Sequence, residues 1–384
     1  MAFSAGNAQG RQFSFEKGAM TMSKPLAMAS ASKFPAATAV VGAVAAGHLG
    51  LETRPGELWP WWTSEASDPR SRVTLRHLLS FTSGFYWQDA GGELPCLAGP
   101  TAASYSPEAC AREIYEKAPF EFEPGSTWAY NSFHLQIAGA MAAKASNLTV
   151  QQLLHRNLIG RLNLTGTKWL GGENPALAGT MVTTGDDYDK VLRAYVAYEL
   201  VPKKLADEME RDYLEGPVKV ANSSAFLSEL LGHYSMCTYF ECLPPKLSAF
   251  TPACKKANVH VDAGLFGYYP LVDRARGTYM QIVQMKMVTS QLDFYLPTVS
   301  AMVLRKLVKP LVDYALRQPG GGDADGARDM GSFRSVAASK HGIWLTTWRV
   351  LRRAKLAGKH RGPAEVWKRL AALDDSSGFQ TMTA

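Results

Sequence analysis

Met28-Ala29-Ser30-Ala31-Ser32-Lys33-Phe34-Pro35, continued by Ala36-Ala37-Thr38-Ala39-Val40-Val41-Gly42-Ala43-Val44-Ala45-Ala46-Gly47, is the stretch on which the fold turns. Small and apolar residues on every side predict a buried helix over Ala27 to Gly47. Pro35 suits the first turn, where its missing N–H costs nothing, and Gly47 suits the end. Ser30 and Lys33 are three residues apart and so share one face. A hydroxyl at the positive end of the helix dipole, with a lysine amine one turn away, is arranged for nucleophilic attack: the amine takes the proton and the helix end favours the negative charge that develops. The plainer reading of Ser30 is a helix cap.

The rest of the chain decides between these readings. Its 384 residues can bury a sizeable core, and 46% hydrophobic with 20% charged residues is an ordinary globular composition. The formal charge of +7 is concentrated at one end: from Gly320 onward there are eleven Lys/Arg against six Asp/Glu, a balance of +5. The body is nearly neutral, which argues against nucleic acid as its partner. No apolar run is long enough for a transmembrane helix, and the first residues show no signal peptide. Cys96 and Cys110 flank one Pro/Gly/Ala/Ser-rich loop, and Cys242 and Cys254 flank another, which predicts two loop-closing disulfides and leaves Cys237 over. With sequons at Asn147, Asn163 and Asn222, this points to a secreted or lumenal chain and conflicts with the missing leader. No cysteine–histidine spacing fits a metal site.

In chain order, residues 2–18 read as a hairpin. Thr74 caps a short helix whose apolar positions 75, 78 and 79 form one face and which Ser83-Gly84 ends. Helices follow over Pro107–Lys117, His134–Lys144, Val150–Leu158, Asp186–Glu199 and Lys203–Leu214. Strands follow over Tyr234–Phe240, Val259–Asp273 with a glycine-rich bend, and Gly277–Met285. A helix over Met302–Leu316, interrupted near Pro310, closes the fold. Beyond a glycine-rich linker, Ile343–Lys355 is apolar and basic, a stretch that could lie on a membrane surface or fray as part of a disordered extension.

Val73-Thr74-Leu75-Arg76-His77-Leu78-Leu79-Ser80-Phe81-Thr82-Ser83-Gly84-Phe85, some forty residues after the Ser/Lys helix, resembles the serine β-lactamase-related family. That family contains class C β-lactamases, D-alanyl-D-alanine carboxypeptidases and related esterases. Pro124-Gly125-Ser126-Thr127-Trp128-Ala129-Tyr130-Asn131-Ser132 resembles its Pro-Gly-x-x-Φ-x-Tyr-x-Asn stretch, with Ser132 at the asparagine position. Thr183-Thr184-Gly185-Asp186 resembles its capped helix start. The Val259–Asp273 region resembles its Lys-Thr-Gly or His-x-Gly strand, with Asp262-Ala263-Gly264 or His260 as competing first residues.

The resemblance implies an α/β, β-lactamase/transpeptidase-like fold over residues 1–318. An antiparallel sheet from both chain ends is flanked by helices, with a largely helical insertion at about 50–215 and a basic tail at 319–384. It implies a serine hydrolase acting through an acyl-enzyme on Ser30, with Lys33 and Tyr130 as general base. Ser132, His260, Gly264 and Leu265 would bind substrate or hold the oxyanion. His77 reads as a packing residue. The substrate would be a small-molecule or peptide-like ester, amide or β-lactam, and no metal or organic cofactor is implied. Ser132 and the missing Lys-Thr-Gly keep a second reading open, a non-catalytic binding or structural protein on the same scaffold. A third is a penicillin binder that acylates without turnover.

Overall fold

A computed structural model describes residues 1–86, 94–98, 101–221, 233–241, 251–287 and 296–317. Its contacts divide the chain into two units. The first holds Met1–Cys242 and Phe250–Arg305, and the second holds Leu243–Ala249 and Lys306–Ala384. Of the second unit, the described part is the last turns of the helix Leu296–Arg317, in which Lys309 pairs with Asp313 at 2.6 Å. The expected tail and the stretch Ile343–Lys355 lie outside the described residues.

In the first unit, the chain opens as the expected hairpin, β1 (Ala2–Asn7) and β2 (Gly10–Glu16). Three other strands, β9 (Val259–Val261), β10 (Tyr269–Asp273) and β11 (Thr278–Val283), come from the far end of the unit. With β8 (Tyr239–Phe240) they form one antiparallel sheet of order β2-β1-β11-β10-β9-β8. β1 pairs with β11 from Ala2↔Val283 to Asn7↔Thr278, so the N-terminal strand and a strand from late in the unit are locked in one register. Both faces of β9 to β11 are buried, which their near-continuous apolar sequences allow.

The helices fall into two sets. α1 (Lys33–Ala45) is buried from Lys33 through Ala43 and packs on α5 (Phe133–Ser146), itself buried from Phe133 through Ala143. Alanine favours helix and keeps these surfaces thin, and two glycines admit neighbours where a Cβ would collide. Gly42 faces the Asn157 side chain and Gly139 faces Leu177. α3 (Leu75–Leu79) and α4 (Pro107–Lys117) also pack on α5. α7 (Gly185–Val196) leaves this helical layer and lies on β1, β2, β10 and β11. A buried polar network fastens it there. Ser4 donates to Asp189 at 2.5 Å, Tyr279 donates to Asp189 at 2.8 Å, and Gln281 donates to Ser4 and the Gly185 carbonyl. Among the described residues no helix is long and apolar enough to cross a membrane.

Several boundaries differ from the sequence reading. The helix expected over Ala27–Gly47 begins only at Lys33, after a 3₁₀ turn at Ala29–Ser32, because Ala29 takes a left-handed backbone (φ 48°). The expected strand Tyr234–Phe240 folds back on itself. Tyr234 bridges Tyr239 across a turn in which Cys237 has φ 60° and the Ser235 hydroxyl reaches the Thr238 carbonyl at 3.1 Å. Left-handed Tyr198 (φ 58°) follows the end of α7 at Val196, and the helix read over Lys203–Leu214 stops at Met209. Val150–Leu158 is α6 (Val150–Leu154) followed by a π turn at His155–Ile159. The last helix runs through Pro310. Cys96 and Cys110 form the expected disulfide and Cys237 is free and buried. Cys254 is also disulfide-bonded, and Cys242 lies outside the described residues.

Candidate active site

Ser30 sits half-buried in the 3₁₀ turn, and the turn is pinned from three directions. The Met28 N–H donates to the Met181 carbonyl at 2.9 Å, so the strand β3 (Leu26–Ala27) and its partner β6 (Met181–Thr183) hold its entry. The Ser32 hydroxyl donates to the Ala29 carbonyl at 2.6 Å and accepts from the Met181 N–H at 3.1 Å. From α7, the Tyr188 hydroxyl donates to the Ala31 carbonyl at 3.0 Å. A non-glycine residue with positive φ immediately before Ser30, held by this many bonds, is local strain that the surrounding packing overrides.

Lys33 is 3% exposed, and its Nζ lies 3.1 Å from Ser30 Oγ. The ammonium also donates to the Ala178 carbonyl at 2.8 Å and lies over the Tyr130 ring, 4.7 Å from its centroid. Tyr130 is set by β4 (Thr127–Trp128), just before α5, within a wall of rings. Phe81, Tyr239 and Trp128 lie 5.7, 6.0 and 6.1 Å from it, centroid to centroid. The three-residue spacing and the tyrosine motif therefore do meet in space. Lys33 reaches Tyr130 through the face of the ring.

Ser132 precedes α5 at its N-cap position and is half-buried. Its neighbour Asn131 is buried and structural: it donates to the Phe85 carbonyl at 3.0 Å and accepts from the Phe133 N–H at 3.0 Å. Gly264 lies against the nucleophile turn, so close that a Cβ there would stand 2.4 Å from the Met28 carbonyl oxygen. Its N–H is committed to the Tyr268 carbonyl at 2.8 Å. This leaves the half-buried Leu265 amide as the strand's candidate oxyanion donor.

His260 is not brought to this group. It is 3% exposed, packs on Phe240 at 4.5 Å, and places its ring nitrogens beside Ser235, Thr238 and Asn258. Burial lowers its pKa to about 4. β9 is buried on both faces, so alternation along the strand does not carry a polar residue to an open side. His77 is likewise local, its Nδ1 facing the Thr74 N–H and hydroxyl at the start of α3.

Two contacts at the site are not signalled by the sequence, although Asp262 itself is one of its candidate motif residues. One is the Ala178 carbonyl, a backbone acceptor that no side-chain pattern signals. The other is the side chain of Asp262, which accepts from the Phe34 N–H at 2.8 Å at the start of α1. Burial pushes its carboxyl up to about 7, opposed by the charge of Lys33 and by the backbone amides of Phe34 and Lys33. Beyond Tyr130, β4 pairs with β7 (Lys219–Val220), and an open cleft of about 660 Å³ lies alongside, lined by Tyr86, Phe122, Glu123, Thr127 and Lys219 among others. Among the described residues no cluster of His, Cys, Asp and Glu could hold a metal ion.

Residues 4–210 match the family model described as Beta-lactamase. No curated protein matches the chain. Among solved structures, a candidate beta-lactamase from Bacteroides dorei superposes with a TM-score of 0.65 at 23% identity, covering 80% of this chain and 92% of its own. Simvastatin synthase from Aspergillus terreus gives 0.56 at 14% identity, covering 79% and 93%. A D-stereospecific amidohydrolase from a Streptomyces species gives 0.52 at 18% identity, covering 73% and 87%. At these identities the likeness is one of fold.

Proposed function

The chain belongs to the beta-lactamase family, and on that premise we propose that it is a serine hydrolase forming an acyl-enzyme on Ser30. The observation that carries this reading is the buried Lys33 amine at 3.1 Å from Ser30 Oγ. Ser30 Oγ attacks the carbonyl carbon of an ester or amide, and Lys33 takes its proton. The Ser30 and Leu265 amides hold the oxyanion. Tyr130, beside Lys33, returns the proton to the leaving oxygen or nitrogen as the carbonyl–heteroatom bond breaks. Water then attacks the acyl-enzyme and releases the acid, restoring Ser30. Ser132 hydrogen-bonds the substrate.

One feature favours ester or peptide-like substrates over β-lactams: Ser132 has a shorter reach than asparagine. The test is hydrolysis of an activated p-nitrophenyl ester by the wild type and by Ser30→Ala. Turnover by the wild type with a loss of about 10³-fold or more in the variant supports the reading; equal rates overturn it.

One observation favours the alternative of a non-catalytic binding protein. Lys33 meets the face of the Tyr130 ring, a cation–π contact that is also a purely structural way of keeping a buried ammonium.

A further inference from the structure

The Gly264 carbonyl and the Leu265 N–H belong to one peptide unit. That unit is trans, since the described residues contain no cis peptide bond, so its carbonyl and its N–H point in opposite directions. The carbonyl end is held twice. Gly267 donates its N–H to it at 2.9 Å and closes a tight turn. The Thr298 hydroxyl, from another element, donates to it at 2.9 Å and lies 3.4 Å from the Leu265 carbonyl. The N–H end is the amide that holds the oxyanion in the proposed mechanism. It follows a glycine whose added Cβ would stand 2.4 Å from the Met28 carbonyl and 3.4 Å from Ala31 in the nucleophile turn.

Thr298 is 3% exposed and is the third residue of the last helix. The start of that helix is fixed in turn. Gln284, just past β11, donates to the Pro297 carbonyl at 3.1 Å, and a Cβ on Gly267 would lie 2.8 Å from the same oxygen. A carbonyl oxygen has two lone pairs, and a second donor from a separate element resists rotation of the peptide plane. A hydrogen bond to the carbonyl also polarises the amide and strengthens its N–H as a donor.

We propose that Thr298 is a positioning residue for the oxyanion: its hydroxyl, bonded to the back of the Gly264–Leu265 peptide, aims and polarises the Leu265 N–H. This rests on the serine-hydrolase reading above. In this role Thr298 touches neither substrate nor Ser30. Its effect is felt as negative charge develops on the carbonyl oxygen, so it stabilises the transition state more than the bound ester.

The experiment compares the wild type with Thr298→Val, which keeps the shape and removes the hydroxyl, and with Thr298→Ser, which keeps the hydroxyl. Two readings are taken: kcat and KM on a p-nitrophenyl ester, and the dissociation constant of phenylboronic acid. In the second, the Ser30 oxygen adds to boron, no group leaves, the proton passes to Lys33, and one boron hydroxyl takes the place of the oxyanion. Loss of an oxyanion donor outright costs about 10²- to 10³-fold. A donor left in place but loosened is expected to cost about tenfold in kcat and about tenfold in boronate affinity for Thr298→Val, with KM within about twofold. Thr298→Ser is expected to recover all but about threefold of both losses. A merely structural hydroxyl would lower Tm in Thr298→Val and leave kcat and boronate affinity within about twofold, and that result overturns the proposal. So does a loss of kcat with boronate affinity retained, or a serine variant no better than the valine one. If Thr298→Val does not fold, Thr298→Ala replaces it in the same comparison; failure of both to fold overturns the proposal, because the bond then holds the fold. A wild type with neither ester turnover nor a boronate adduct on Ser30 defeats the serine-hydrolase reading itself. An active wild type with unchanged variants defeats only the role of Thr298.

Discussion

Replacing Gly264 by alanine tests whether the approach of the strand to the nucleophile turn matters for catalysis. A Cβ at this position would lie 2.4 Å from the Met28 carbonyl oxygen and 3.4 Å from Ala31 Cβ and the Tyr268 carbonyl. Ordinary carbon–oxygen contact is about 3.3 Å, so the strand and the turn must separate by roughly 0.9 Å. The backbone at Gly264 lies outside the left-handed region, so the penalty is one of contact and not of φ. The atoms in the way belong to backbone that is itself pinned by Met181, Ser32 and Tyr188. Overpacking of this kind costs about 1–3 kcal/mol, a fall of a few degrees in Tm. A displacement near 1 Å between nucleophile and oxyanion donor costs about 10²-fold in rate. Gly264→Ala is therefore expected to fold, to lose a few degrees of Tm, and to lose 30- to 100-fold in kcat on an activated ester, by these two estimates together. Gly179→Ala is the control, because no atom lies within 4 Å of its added Cβ; it should keep kcat within about twofold, as an unobstructed substitution does. A folded Gly264→Ala enzyme with wild-type kcat would refute the reasoning.

Two further outcomes concern stability. His260 and His134 are buried, and burial lowers their pKa values to about 4 and about 3. The unfolded chain, with histidines near 6.5, then binds more protons, so stability is complete above that pH and is lost as pH falls toward 4 and 3. Chemical denaturation of His260→Gln between pH 7 and pH 4 should show an acid-side loss smaller than the wild type's by about 3 kcal/mol, and identical slopes would contradict the buried neutral ring. The Cys96–Cys110 disulfide spans fourteen positions, and its removal by Cys96→Ser with Cys110→Ser should cost about 3 kcal/mol by chain entropy, read as a fall in the denaturant midpoint; an unmoved midpoint would argue that the loop is equally constrained without the bond.

The antiparallel sheet from both chain ends and the Ser30/Lys33/Tyr130 group are legible in the sequence because each rests on a short fixed spacing or on a run of one residue class. α1 stands out as an unbroken series of small apolar residues, and Thr74 marks α3 as a capping threonine does. What escapes is conformation that no residue type announces. The turn before Lys33 depends on left-handed Ala29, and the turn before β8 on left-handed Cys237, positions where glycine or asparagine would have given a signal. Tyr234-Ser235-Met236-Cys237-Thr238-Tyr239-Phe240 has the composition of a strand, and only the Ser235–Thr238 bond shows why it folds back. His260 looks like a site residue while the strand is imagined with one open face, and ceases to once both faces of β9 are covered. Asp262 can be aligned with a motif position from the sequence, but its hold on the start of α1 exists only in three dimensions.

The most direct test of the central claim is the intact mass of the wild-type protein and of Ser30→Ala after incubation with a fluorophosphonate, with peptide mapping of the adduct. One phosphonyl group on Ser30 of the wild type and none on the variant is the predicted result. No adduct on well-folded wild-type protein, or an equal adduct on Ser30→Ala, would contradict the claim that Lys33 activates Ser30.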